Sequence, residues 1–260
     1  MPARKRSPAD PLEPLLALLV QLNLTTLGRE LAGILDRAQT GRHSYSQFLK
    51  DALEVELVAR QARKVQRRVR WSKLGPKVTL EGFDWAARPQ LSPQVVQELV
   101  TCRFIQEQRN AILVGRPSLG KTTVARAIGH AACERGHSVY NATMQDALEM
   151  LQASRADGTY RKTFRRLTAC DLLILDNAGF ATLDARATNE LFRVVSARYR
   201  QRSTIVVTNL PFKRWGEFIA SPAQAVAIAD RLIHDATILR FTGKPFRNPR
   251  DISGAPLDEE

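Results

Sequence analysis

Gly115-Arg116-Pro117-Ser118-Leu119-Gly120-Lys121-Thr122 fits G-x-x-x-x-G-K-[ST], the spacing of a phosphate-binding P-loop. Two glycines let the backbone wrap with its N–H groups turned inward on a phosphate. Lys121 can then reach the β- and γ-phosphates, and the Thr122 hydroxyl can ligate Mg²⁺. The flanks agree with this reading. Asn110 to Val114 is a short apolar run suited to a buried strand, and Thr123 to Arg135 reads as a helix with its positive N-terminal dipole aimed at the phosphates. Residues 115–123 are therefore the candidate nucleotide-binding segment.

Around this loop, helical and strand periods alternate. Helices are expected at 93–107, 121–135, 144–154, 160–169, 184–200 and 223–234, and strands at 110–114, 138–142, 171–176, 203–208 and 236–241. Such alternation predicts an α/β fold with a parallel five-stranded sheet covered on both faces. Right-handed crossovers place the P-loop at the carboxyl edge of that sheet.

Asp171-Leu-Leu-Ile-Leu175-Asp176 is an apolar strand ending in a carboxylate, which suits a Walker-B segment. Asp176 would emerge beside the P-loop and, with Thr122, hold Mg²⁺. In ATPases of the AAA+ group a glutamate usually follows that aspartate and activates the attacking water. Here the residue is Asn177, whose amide orients water but accepts no proton from it. Losing a positioned base costs roughly 10²–10⁴ in rate, so hydrolysis is expected to be slow unless another carboxylate substitutes; Glu190 on the following helix is one possibility. Asn209, at the tip of strand 203–208, is a candidate sensor of the γ-phosphate. Arg231 is a candidate arginine finger reaching a neighbouring subunit, with Arg240 and Arg247 as further possibilities. The catalytic set is thus Lys121, Asp176, Asn177, Asn209 and Arg231.

Among 260 residues, 39 Lys+Arg against 26 Asp+Glu give a net charge of +13. Such an excess points to a polyanionic partner, first of all nucleic acid. Residues 1–78 hold 15 basic and 7 acidic residues, a net +8, so under a third of the chain carries over half of the excess. This region reads as a small helical domain over 1–72. Leu15, Leu18, Leu19 and Leu22 share a face, Thr25 or Thr26 can cap a helix running to Arg37, and Gly41 breaks it. Ser44 or Ser46 can then cap a long helix from Gln47 to about Trp71. On that helix Arg60, Arg63, Lys64, Arg67 and Arg68 form one basic stripe, a candidate double-stranded DNA contact. A second basic cluster, Arg155, Arg161, Lys162, Arg165 and Arg166, interleaves with Tyr160 and Phe164. There the aromatics are expected inward and the arginines toward DNA. Residues 73–92 read as a linker in which Phe83 and Trp85 dock on the following domain, and 251–260 as a disordered acidic tail.

Three widely spaced cysteines, with no C-x-x-C pair, argue for a reducing cytosol and against a zinc site. The apolar stretch Leu12 to Leu24 is interrupted by Glu13 and Pro14 and lacks a small-residue cleavage site, so it is not read as a signal peptide. No run is long enough to span a membrane.

In order along the chain, these marks are similar to the IstB-like helper ATPases of bacterial insertion sequences, relatives of the DnaC helicase loaders and DnaA initiators. Tyr45-Ser-Gln-Phe-Leu49, Thr79-Leu-Glu-Gly-Phe-Asp84 and Phe104-Ile-Gln-Glu107 precede or flank the P-loop. Gly136-His-Ser-Val139, Ala156-Asp-Gly158, Asp171 to Asp176, Arg198-Tyr199, Thr208-Asn-Leu-Pro-Phe212, Trp215-Gly-Glu217 and Asp230-Arg-Leu232 follow it. The resemblance covers about residues 12 to 250. It implies an AAA+ core over 93–250 preceded by a helical domain and without a full C-terminal lid. It also implies ATP and Mg²⁺ as cofactors, ATP-dependent assembly on DNA as a homo-oligomer, and a role in target choice or strand transfer beside a separate transposase. Two departures stand out: the family usually has Asp-Glu at 176–177, and its loop usually reads Gly-Pro-Pro-Gly-Thr-Gly-Lys-Thr, so Arg116, Ser118 and Leu119 differ at variable positions. A non-hydrolysing ATP switch and a DnaC-like helicase loader remain open as alternatives.

Overall fold

The computed structural model describes residues 12–245. Residues 1–11, Arg247 and the acidic tail at 251–260 lie outside them. The chain divides into two compact units, Met1–Gln66 and Arg67–Glu260. The division falls within the third helix rather than at its end, where the sequence pattern places it.

The first unit holds α1 (Glu13–Gln21), α2 (Thr25–Thr40) and the greater part of α3 (Tyr45–Ser72). Its small core is Leu19, Leu27, Leu31, Ile34 and Ala52. The four-leucine face expected on α1 is split: Leu19 is buried, whereas Leu15, Leu18 and Leu22 are exposed, because so short a helix packs on α2 through one side only. Ser44 caps α3, its hydroxyl accepting from the Gln47 amide. Neither Thr25 nor Thr26 caps α2. Instead Glu56 of α3 accepts from the amides of Thr26 at 2.8 Å and Leu27 at 3.0 Å, satisfying two orphan donors of the helix start.

In the second unit the expected linker is part of the body. Leu74 and Leu91 are buried, and Leu80, Phe83 and Trp85 pack on the core, the last two with ring centroids 4.7 Å apart. The single helix expected at 93–107 is two: α4 (Pro93–Val100), capped by Ser92, and α5 (Arg103–Gln106). They part at Cys102, whose φ is +63°. One straight helix could not bury Leu99, Cys102, Phe104 and Ile105 on a single face, and all four are buried.

Five parallel strands follow: β1 (Ala111–Gly115), β2 (Val139–Thr143), β3 (Leu172–Ala178), β4 (Ser203–Thr208) and β5 (Thr237–Phe241). They lie in the order β2-β3-β4-β1-β5. The crossovers are α6 (Lys121–Glu134), α7 (Met144–Ala156), α8 (Tyr160–Ala169), α9 (Ala185–Arg198) and α10 (Pro222–Ile233), with a 3₁₀ turn at Phe212–Glu217. Strand residues alternate between two cores. Leu113, Ile174 and Val207 face α4 and α6, while Ile112, Leu173, Leu175 and Val206 face α7, α9 and α10. Burial on both faces explains why the three inner strands β1, β3 and β4 read as nearly continuous apolar runs, whereas the edge strands β2 and β5 carry polar residues.

Candidate nucleotide-binding site

β1 is an inner strand, pairing with β4 on one side and β5 on the other, so its carboxyl end opens at the switch point of the sheet. The loop leaves this end at Gly115, where an added Cβ would come 2.3 Å from the Phe241 carbonyl oxygen. Gly120, at φ +88°, turns the chain into α6. Between them Ser118 also has a left-handed backbone, φ +60°. Leu119 is buried, Arg116 and Pro117 are exposed, and Thr122 and Thr123 face outward in the first turn of α6. The aligned amides of that turn and its dipole suit an anion.

Lys121 is 9% exposed. Its Nζ donates to the carbonyls of Gly115 at 2.7 Å and Arg116 at 2.6 Å, so the ammonium is held against the loop it serves. Burial lowers its pKa, and the nearby Asp176 carboxylate acts in the opposite direction. Thr122 Oγ1 donates to Asp176 Oδ1 at 3.3 Å across 54 positions of sequence. A hydroxyl and a carboxylate, both hard oxygen donors, are thereby brought together beside the loop, and this donor set would fit a Mg²⁺ ion.

Asn177 lies in an irregularity that the sequence does not reveal. Leu175 pairs with Val206 and Ala178 with Thr208, so β3 holds one residue more than β4 over this stretch. This bulge gives Asn177 a φ of +56°. Its amide N–H turns back and donates to Asp176 Oδ1 at 2.8 Å, while its side chain is exposed. Asparagine is among the few non-glycine residues that adopt this conformation readily.

Asn209 follows Thr208, the partner of Val114, and is exposed at the carboxyl edge beside the P-loop strand. Arg231 is at the other edge. Its carbonyl accepts from Asn110 Nδ2, just before β1 begins. A five-residue strand of about 16 Å separates that end of β1 from the P-loop. The guanidinium donates to the Ala227 carbonyl at 2.8 Å and stacks 5.0 Å from the Phe192 ring. Arg240 is exposed on β5. Glu190 is engaged elsewhere: buried, it accepts from Arg155 Nε at 3.0 Å and from Arg155 Nη2, from the Tyr160 hydroxyl at 2.5 Å, and lies 3.9 Å from Arg193. Its role is to tie α7, α8 and α9 together, and it is not aligned as a substitute base.

The basic residues fall into distinct environments. Arg60 and Arg63 both pair with Glu56, at 3.1 and 2.8 Å, and Arg63 also donates to Thr26 Oγ1. Lys64 and Arg67 are exposed. Arg68 is half-buried, and a Cβ on Gly136 would lie 3.8 Å from its Nη2, at the carboxyl end of α6. On α8, Arg161, Lys162, Arg165 and Arg166 are exposed while Tyr160 and Phe164 pack inward. Arg155 stacks on Tyr160 at 4.4 Å. One supporting residue escapes motif reading: Arg88, buried in the segment before α4, donates to the Leu119 carbonyl of the P-loop at 3.0 Å and to the Lys244 carbonyl at 2.6 Å. Buried arginine is rare enough that its burial marks it, but no sequence pattern does.

Comparison with known proteins bears on this geometry. The family model described as IstB-like ATP binding protein matches residues 17–253. The ATP-binding protein named for insertion sequence IS5376 of Geobacillus stearothermophilus is 33% identical over 227 residues, covering 87% of this chain and 90% of the relative. Among solved structures, AMPPCP-bound DnaA from Aquifex aeolicus superposes with a TM-score of 0.55 at 21% identity, over 68% of this chain and 52% of that one. The DnaC helicase loader gives 0.50 at 21% identity, over 57% and 87%. At such identities the two structures speak for the fold, which is that of the AAA+ proteins. With the family match over residues 17–253 and a relative 33% identical over most of both lengths, the chain belongs to the IstB-like ATP-binding proteins of insertion sequences.

Proposed function

We propose that the protein is an ATPase that assembles on double-stranded DNA as a homo-oligomer and assists a transposase in insertion-sequence transposition, in the choice of target or in strand transfer. The observation that carries its nucleotide chemistry is the meeting of Thr122 and Asp176 beside a loop that grips Lys121. In this reading the amides of 115–123 and Lys121 hold the triphosphate, and Thr122 and Asp176 hold Mg²⁺. When bound, the ion supplies charge neutralisation at the phosphate oxygens. Asn209 orients water or the γ-phosphate, and Asn177 hydrogen-bonds water without deprotonating it. Arg231, at the edge away from its own P-loop, acts on the site of a neighbouring subunit. The net charge of +13 and the exposed arginines of α8 support DNA as the partner. The insertion-sequence relatives support the transposase, and a cytoplasmic location follows from both.

A second reading, a switch that binds ATP without cleaving it, is favoured by Asn177. Phosphate release measured with and without duplex DNA separates the two. The ATPase reading expects slow, DNA-stimulated turnover that disappears in Lys121→Ala. Absence of turnover above that variant under both conditions would leave the switch.

A further inference from the structure

Two basic stretches far apart in sequence meet at the open edge of the sheet. β2 is an edge strand, and its Tyr140 is 4% exposed. Lys73, the first residue after α3, holds its Nζ 5.5 Å from the centre of the Tyr140 ring. Arg166 of α8 holds its guanidinium carbon 6.0 Å from the same ring. The turn is fixed against the strand, since Asn141 Nδ2 donates to the Lys73 carbonyl at 3.2 Å. Both cations are exposed, as are Arg67 and Arg70 in the last turns of α3 and Arg165 on α8.

Elsewhere in this unit Arg103, Arg109, Arg155, Arg202 and Arg214 each find a carboxylate. Among the described residues no carboxylate lies within ion-pair distance of Lys73 or Arg166. Like charges gathered on one ring and left unpaired repel each other, and the ring offsets only about 0.5–1 kcal/mol at an exposed site. A polyanion offsets the rest.

We propose that Lys73 and Arg166 grip a DNA phosphate backbone together, with the strand crossing the β2 edge between the end of α3 and α8. This rests on the DNA-binding reading above and adds Lys73, which neither basic cluster contains. Contacts to phosphate alone carry no base readout, so the grip is independent of sequence.

The test is a salt titration of duplex binding by the full chain with ATP present. Lys73→Ala and Arg166→Ala should each weaken binding on the order of tenfold at low salt and each lower the slope of log K against log[salt] by about 0.9. Lys73→Arg should retain the slope, and Arg103→Ala, whose charge is paired with Glu107, should leave it unchanged. ATP-analogue binding by each variant reports that the fold is intact. Normal binding by the parent with an unchanged slope in both alanine variants would overturn this surface while leaving DNA binding intact elsewhere. Failure of the parent itself to bind would overturn both.

Discussion

At the scale of single residues, Asn177 carries the most consequence. The bulge in β3 sets its backbone at φ +56°, a conformation that costs most side chains roughly 1 kcal/mol and asparagine less. The asparagine that, in the proposed reading, stands in place of a base is therefore also one that this backbone accommodates. Asn177→Glu should raise DNA-stimulated turnover by about 10²-fold while lowering stability by about 1 kcal/mol. Phosphate release and thermal unfolding on one preparation check both, and unchanged turnover would mean that the side chain does not face the reacting water. The loop between β1 and α6 and the strand that carries Asp176 were legible because the proposed chemistry calls for fixed residue types at fixed local spacing. The bulge was not, because it depends on the register of β4, some thirty positions away. Ser118 shares this property: its left-handed φ of +60° is visible only in the folded loop, where the family usually places glycine.

At the scale of elements, Glu56 recasts the stripe on α3. The spacing of Arg60, Arg63, Lys64, Arg67 and Arg68 was legible, but the capture of the first two was not, since it requires knowing that α2 begins opposite Glu56. Burial pushes the Glu56 carboxyl up. The Leu27 amide, Arg63, the Thr26 amide and Arg60 together outweigh it and hold the pKa below its usual value. A depressed carboxylate contributes stability that is present at neutral pH and is lost as pH falls through the folded-state pKa. Glu56→Ala should cost about 2 kcal/mol at neutral pH, since it removes two hydrogen bonds to the helix start, both accepted by Oε2 and worth about 1 kcal/mol each. The two arginines are half-exposed and their pairs add little. Thermal melts at pH 7 and pH 3 should show the difference between parent and variant shrinking in acid; an equal difference at both would contradict the assignment. A similar tertiary tie, Glu190 to Arg155 and Tyr160, explains why Arg155 is set apart from the arginines of α8, which pair with no carboxylate among the described residues.

At the scale of the whole molecule, alternating strand and helix periods made the five-stranded parallel sheet and its carboxyl-edge site legible. The expected linker was harder to read, because the stretch from Lys73 to Leu91 has loop-like composition yet buries Leu74, Arg88 and Leu91. Sheet topology also constrains Arg231. Because it lies by the amino end of β1, a catalytic role requires a second copy. Arg231→Ala should lose stimulated turnover yet still bind an ATP analogue, and mixing it with Lys121→Ala should restore measurable activity in hybrid assemblies; no recovery on mixing would count against a shared site. The central claim is that nucleotide held by the P-loop drives assembly on DNA. Its most direct test is the affinity for labelled duplex DNA at low salt with and without ATP and Mg²⁺, for the parent and for Lys121→Ala. Tight binding that requires ATP and is lost in the variant is the predicted result; equal binding with and without nucleotide, or none in either condition, would contradict it.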